Sequence, residues 1–205
     1  MTKIKLCGLS RETDIEAANR LQPDYIGFVF AKNSRRFVSS EQAEKLKSLL
    51  MPTIKAVGVF VNEKAESVAE LLNRNVIDIA QLHGDESEEY LHYLRTLTDK
   101  PIFKAFRIDC ADDVALAGQS SADCILLDAG AGGTGNPFDW RLIKDINRPF
   151  FLAGGLNLEN IKTALKEYHP FGVDVSSGIE SDGYKDNEKM NSFVKAVRAF
   201  DRKEL

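Results

Sequence analysis

The chain has 205 residues, 43% of them hydrophobic and 28% charged, with a formal net charge of −4. That length suits one domain with a sizeable core, and the composition excludes general disorder. A slightly acidic chain lacks the broad cationic field of a nucleic-acid binder or a polybasic membrane anchor. No apolar run approaches the roughly 18 residues of a membrane-spanning helix. The stretch Met1-Thr2-Lys3-Ile4-Lys5-Leu6-Cys7 has no hydrophobic signal core, so no secretory signal is expected. The cysteines are Cys7, Cys110 and Cys124, with no CxxC pair. Neither a disulfide framework nor a zinc site is expected, and free thiols fit a reducing cytoplasm.

Taken in order, short β-rich runs alternate with amphipathic helical patterns. A run at 4–7 precedes a helix that follows Ser10 and carries Ile15 and Ala18. A second run, 25–30, leads to Ala43, Leu46 and Leu49 behind a Ser39-x-x-Gln42 capping box. The run 54–61 is followed by a candidate cap at Asn62 and by Ala65, Val68, Leu71 and Leu72. After 77–82 comes Asp85-x-x-Glu88 with Tyr90, Leu91, Leu94 and Leu97. The runs 102–106 and 124–127 are followed by weaker helix signals, after Phe106 and after Trp140. Run 149–152 leads to Asn157, Ile161, Ala164 and Leu165; run 171–175 leads to Asp186, Met190, Phe193, Val194 and Val197. Each run is bounded by Gly, Pro, Asn, Asp or Ser.

Eight βα units predict a parallel sheet covered by helices. A chain of this length with eight units favours a single closed (β/α)8 TIM barrel over residues 1–205, with an open doubly wound sheet as the alternative. No linker or low-complexity stretch interrupts the alternation.

Barrel chemistry sits at the C-terminal ends of the strands, and the unusual residues fall there. They are Cys7-Gly8, Ser34-Arg35-Arg36, Asn62, Gln81-Leu82-His83-Gly84, Arg107, Asp128 with a glycine-rich loop from Gly130 to Gly135, Gly154-Gly155 and Ser176-Ser177-Gly178. The opposite connections hold ordinary turn residues such as Gln22-Pro23-Asp24. Gly154, Gly155, Ser176, Ser177 and Gly178 follow strands seven and eight, where barrels often bind phosphate through backbone N–H groups; tight turns alone would also explain these glycines. Cys7 reads either as a small buried hydrophobe or as a thiolate base, with Lys5 on the same strand face able to lower its pKa. Asp128, after four apolar residues, reads either as a desolvated general acid or as a cap or ion-pair partner. Arg36 reads as a solvated surface arginine or as a two-pronged carboxylate clamp. His83 reads as a base or, preferably, as a structural strand-end histidine.

In this order the segments resemble the phosphoribosylanthranilate isomerase family. The matching segments are Lys5-Leu6-Cys7-Gly8, Ser34-Arg35-Arg36-Phe37-Val38, Val57-Gly58-Val59-Phe60-Val61-Asn62, Gln81-Leu82-His83-Gly84, Leu127-Asp128, Gly132-Gly133-Thr134-Gly135, Phe138-Asp139-Trp140, Leu152-Ala153-Gly154-Gly155-Leu156 and Asp174-Val175-Ser176-Ser177-Gly178-Ile179-Glu180. The Lys185-Asp186 step also looks like the family. The resemblance implies a TIM barrel without metal or organic cofactor. It implies an Amadori rearrangement of N-(5-phosphoribosyl)anthranilate to 1-(2-carboxyphenylamino)-1-deoxyribulose 5-phosphate in tryptophan biosynthesis. By the same resemblance Cys7 is the general base and Asp128 the general acid. Arg36 anchors the anthranilate carboxylate, and Gly154, Gly155, Ser176, Ser177 and Gly178 grip the phosphate. Arg35 stands where the family often has proline, which is expected to loosen the loop carrying Arg36. The segment Ala129-Gly130-Ala131 is short beside some relatives, a departure expected to affect loop closure. The expected partner is a small phosphorylated substrate, with no nucleic acid and no membrane. The expected state is a cytoplasmic monomer, because the barrel consumes the apolar helix faces. Another phosphosugar barrel enzyme, and a phosphate-binding module without turnover, are the rival readings.

Overall fold

Successive side chains of a strand point to opposite faces, so one face of each strand lies inside a barrel and the other against helices. The computed structural model describes residues 1–129, 139–143 and 146–203. Eight parallel strands pair in chain order and close on themselves: β1 (Lys3–Cys7), β2 (Tyr25–Val29), β3 (Lys55–Phe60), β4 (Ile79–Leu82), β5 (Ile102–Ile108), β6 (Cys124–Ala129), β7 (Phe150–Leu152) and β8 (Gly172–Val175). The closed barrel excludes the open doubly wound sheet. Helices α1 (Glu12–Leu21), α2 (Ser40–Ser48), α3 (Ala65–Asn73), α4 (Glu88–Leu97), α5 (Ala111–Gln119), α6 (Ile161–Tyr168) and α7 (Asn187–Asp201) follow strands one to five, seven and eight. After β6 the described residues hold only a 3-10 turn, Trp140–Ile143. The weak signal after Phe106 is thus a full helix, and the one after Trp140 a single tight turn. No helix among the described residues is long and apolar enough to cross a membrane.

The helix starts show where local chemistry was read correctly and where it was not. Ser39 Oγ accepts the Gln42 backbone N–H at 3.2 Å, but the Gln42 side chain donates to the Ser10 carbonyl instead of closing the box. Asp186 caps α7 by accepting from the N–H groups of Glu188 and Lys189. Asn62 does not cap α3, whose first flanking residue is Lys64. Asn62 has φ 52° and accepts the Asp85 N–H at 2.7 Å, tying the loop after β3 to the loop after β4. A short hairpin, β9 (Glu180–Ser181) and β10 (Tyr184–Lys185), precedes α7; no periodicity in the sequence announces a two-residue strand.

Two apolar layers hold the fold. The larger lies between strands and helices and includes Ile4, Leu6, Phe28, Leu72 and Phe193, all fully buried. The smaller fills the barrel interior with Val57, Ile79, Phe103, Cys124, Leu126 and Phe151. Tyr25 and Phe103 meet Phe151 with ring centroids 5.7 and 5.8 Å away. This plug makes the floor of the barrel solid, so ligands have access only from above. Phe151→Ala removes its largest fully buried ring. It is expected to lower stability by ~3–5 kcal/mol, the usual cost of such a cavity, measured by urea unfolding.

Candidate active site

Above that plug the interior positions change character. On β1, Lys5 and Cys7 point inward, and on β8 Asp174 does. The β1–β8 register pairs Lys5 with Asp174 directly. Lys5 is fully buried, and its ammonium donates to both Asp174 carboxylate oxygens at 3.0 Å. Burial works against the Lys5 charge, but Asp174 and the Cys7 sulfur outweigh it and raise the pKa. Gly27 on β2 makes room for the sulfur, since a Cβ there would lie 2.7 Å from Cys7 Sγ. Burial pushes the Cys7 thiol up, and the nearby Lys5 only partly offsets it. The expectation that Lys5 makes a low-pKa thiol is therefore corrected in direction: the desolvation of a buried sulfur exceeds the pull of Lys5, which Asp174 already engages, and of Lys185.

Asp128 stands at the end of β6, 8% exposed, with its Oδ2 2.9 Å from His83 Nε2. His83 Nδ1 lies 3.1 Å from Gln81 Nε2. If the Gln81 amide nitrogen donates, Nδ1 is the acceptor and the ring proton sits on Nε2. The other Asp128 oxygen faces Gly154, where a Cβ would lie 2.5 Å from Oδ1. His83, read from the sequence as a base or, preferably, as a structural strand-end histidine, thus stands in contact with the Asp128 carboxyl.

Arg36 is not a solvated loop arginine. Its side chain is 14% exposed, and its methylene stem packs over Gly8, where a Cβ would meet Cδ at 2.5 Å. With φ +80°, Gly8 also has a backbone that a side chain would strain. The guanidinium is held by Glu180, which accepts from Nε at 2.6 Å and from Nη2 at 3.0 Å. Arg35 donates to the same carboxylate at 2.7 Å, so this departure from the family pattern ties the loop down instead of loosening it. Lys185 donates to Glu180 at 2.6 Å and to the Ser176 carbonyl at 2.8 Å. Against the upward push of burial, Arg36 and Lys185 hold the Glu180 pKa at about 2. Sequence reasoning missed Glu180, Lys185 and Asp174 as parts of the site. Their only signals were two charged residues in the family-like segment after strand seven and the Lys185-Asp186 step.

Cys7, Arg36, His83, Asp128, Gly154 and Ser176 all line one cavity of about 910 Å³ at the C-terminal rim, as do Gly155 and Ser177. Gly154 and Gly155 both have positive φ, which turns the chain sharply away from β7. Gly178 is the exception to the expected phosphate set: it stands behind the lining, packed where a Cβ would lie 2.0 Å from the Leu156 carbonyl oxygen. It lets the loops after β7 and β8 touch. The glycine-rich loop from Gly130 to Gly135 and Phe138 lie outside the described residues. Among the described residues no cluster of His, Cys, Asp or Glu is arranged to hold a metal ion. A buried thiol and a carboxyl on one cavity can exchange protons with a single bound molecule, and a guanidinium edge with glycine-rich turns can hold its anionic ends.

Comparison with known proteins agrees with this geometry. Residues 4–196 match the family model described as N-(5'phosphoribosyl)anthranilate (PRA) isomerase. An N-(5'-phosphoribosyl)anthranilate isomerase of Acetivibrio thermocellus is 46% identical, with 98% of each chain covered. The crystal structure of phosphoribosyl anthranilate isomerase from Thermotoga maritima superimposes with a TM-score of 0.88 at 34% identity, covering 97% of this chain and 100% of that one. A crystal structure of phosphoribosyl anthranilate isomerase in complex with reduced 1-(o-carboxyphenylamino)-1-deoxyribulose 5-phosphate matches with a TM-score of 0.85 at 33% identity, with the same coverage. A cavity carrying a thiol, a carboxyl and a guanidinium on the fold of these enzymes, at such identity over nearly the whole length, leaves one assignment: the chain belongs to the N-(5'-phosphoribosyl)anthranilate isomerase family.

Proposed function

We infer that this chain catalyses the Amadori rearrangement of N-(5-phosphoribosyl)anthranilate to 1-(2-carboxyphenylamino)-1-deoxyribulose 5-phosphate in tryptophan biosynthesis, with Cys7 as base and Asp128 as acid. The observation that carries the reading is the meeting of Cys7, Asp128 and Arg36 on one cavity, in a member of this family.

The reaction opens a furanose ring and moves a proton between neighbouring carbons. The anilino nitrogen lone pair forms a C=N bond at C1 while the bond from C1 to the ring oxygen breaks. Protonated Asp128 gives its proton to that oxygen, because an alkoxide leaves poorly. The cationic C=N bond acidifies the C2 hydrogen. The Cys7 thiolate takes that proton, and the electron pair becomes the C1=C2 bond of an enolamine. Tautomerisation, with a proton returned to C1, gives the ketone at C2. No electrons are lost overall, so no redox cofactor enters the balance. His83 holds the Asp128 carboxyl by one oxygen and leaves the other on the Gly154 side. Lys5 and Lys185 supply positive charge near Cys7 when the sulfur becomes anionic.

The substrate has an anion at each end. Arg36 holds the carboxylate, and Gly154, Gly155, Ser176 and Ser177 surround the phosphate, with Gly178 packing the two loops together. Fixing both ends orients the sugar between acid and base, which supplies what acid–base groups alone do not. The enzyme works as a monomer in the cytoplasm; its free thiols and the use of the apolar helix faces by the barrel support this.

Cys7→Ala and Asp128→Asn are each expected to keep the fold, by circular dichroism, and to reduce turnover by at least ~10²-fold, the lower range for a lost acid or base. Near-normal turnover in either variant, followed by loss of phosphoribosylanthranilate fluorescence, excludes the assigned role. The pH profile has a definite sign. A base must be deprotonated, and burial raises the Cys7 pKa above its ordinary 9.0, so kcat/KM of the free enzyme rises with pH into the alkaline range. A profile already flat at pH 7 contradicts a buried thiol as the base.

A further inference from the structure

Arginine offers five N–H donors in a rigid plane. In Arg36 the side-on edge, formed by Nε and one Nη2 hydrogen, is taken by Glu180. The end-on edge, formed by Nη1 and the second Nη2 hydrogen, is a separate bidentate face. Arg36 borders the cavity, whereas Glu180 lies behind it with a side chain only 5% exposed. One carboxylate therefore fixes the plane of the guanidinium from behind without using the edge suited to a second carboxylate.

Glu180 is itself fixed. Its Oε1 accepts from Arg36 Nε and from Lys185 Nζ, each at 2.6 Å. Its Oε2 accepts from Arg36 Nη2 at 3.0 Å and from Arg35 Nη2 at 2.7 Å. Three cations converge on one anion, so the cluster keeps an excess of positive charge. The short β9–β10 hairpin sets this up, because its register pairs Glu180 with Lys185. Lys185 also donates to the Ser176 carbonyl, and Ser176 Oγ donates to the Cys7 carbonyl at 3.2 Å. The guanidinium is thereby linked, through Glu180 and Lys185, to the loop after β8 and the end of β1.

We propose that Glu180 is a positioning residue for substrate recognition: it locks Arg36 side-on so that the end-on edge is preformed for the aromatic carboxylate of the substrate. This rests on the reading of Arg36 as the carboxylate clamp. Two effects of removing Glu180 oppose each other. The added net positive charge favours an incoming anion. The loss of the anchor frees a long side chain and sets three like charges against one another. A preformed fork is worth more to a bidentate contact than diffuse charge, because the geometry and the ordering of the side chain are settled before binding.

The test uses two ligands and three proteins: wild type, Glu180→Gln and Arg36→Met. One ligand is the reduced product analogue with its 2-carboxyphenyl group; the other is its counterpart made from aniline, which lacks the carboxylate. Affinities come from titration calorimetry, with inorganic phosphate as a third probe of the opposite end. For Glu180→Gln, binding of the carboxylate ligand is expected to weaken by ~10-fold or more, the scale of a charge-assisted hydrogen bond. Because Lys185 couples Glu180 to Ser176, affinity for the aniline ligand and for phosphate can fall as well, but by a clearly smaller factor than affinity for the carboxylate ligand. In turnover, KM should rise by a larger factor than kcat falls. Equal weakening of both ligands marks Glu180 as merely structural, and tighter binding of the carboxylate ligand means that bare charge dominates; either overturns the proposal. If Arg36→Met weakens the carboxylate ligand selectively and Glu180→Gln does not, the clamp stands and only this inference falls. If Arg36→Met shows no selectivity, both fall.

Discussion

Where β1 closes against β8, the buried Lys5 ammonium meets the Asp174 carboxylate at 3.0 Å beneath the cavity, and the setting of Cys7 follows from that pair. Such a buried pair is weak evidence for stability, because desolvating both ions offsets much of their attraction. Its consequence is electrical. It keeps a fixed positive group beneath a sulfur whose charged form the surroundings would otherwise forbid. The same closure brings Ser176 against the backbone of Cys7 and carries the β9–β10 hairpin to the loop after β2. If β1 paired elsewhere, Cys7, Arg36 and the loops after β7 and β8 would separate.

Charge in this protein is a local matter. The chain is acidic overall, yet its cavity is bordered by Arg36, backed by Lys5 and Lys185, and meant for a molecule with two anionic ends. Two of the nearby carboxylates are engaged by specific cations: Asp174 by Lys5, and Glu180 by Arg35, Arg36 and Lys185. Net charge informs about partners such as nucleic acid; the field in a cleft depends on which edges remain open after internal pairing.

The two chemical groups differ in how their surroundings prepare them. Cys7 is enclosed, so its base form costs free energy that cations nearby must offset. Asp128 is held by an imidazole whose other nitrogen meets Gln81. That arrangement presents one carboxyl oxygen to the cavity side and keeps the other engaged. A barrel mouth permits both settings within one cavity, because β1 and β6 lie on different parts of the barrel wall and each residue has its own neighbours.

The periodic signals in the sequence were enough for the architecture. Short β-rich runs of four to eight residues, alternating with helical spacing and turn residues, point to eight strands and their parallel sense, and the observed β2, β5 and β8 start within a residue of where those signals begin. Capping chemistry was legible where the cap is local, as at Asp186. It failed at Asn62 because a tertiary partner, the loop holding Asp85, claimed that side chain. The sequence by itself thus determined the barrel and the rim to which its unusual residues belong, and through its family resemblance it pointed to Cys7, Asp128 and Arg36. Only the tertiary structure decided that burial raises the Cys7 pKa, that His83 lies against Asp128, and that Glu180 pins Arg36. Those outcomes depend on distances between residues far apart in the chain and on exclusion of water, and neither is encoded in local spacing.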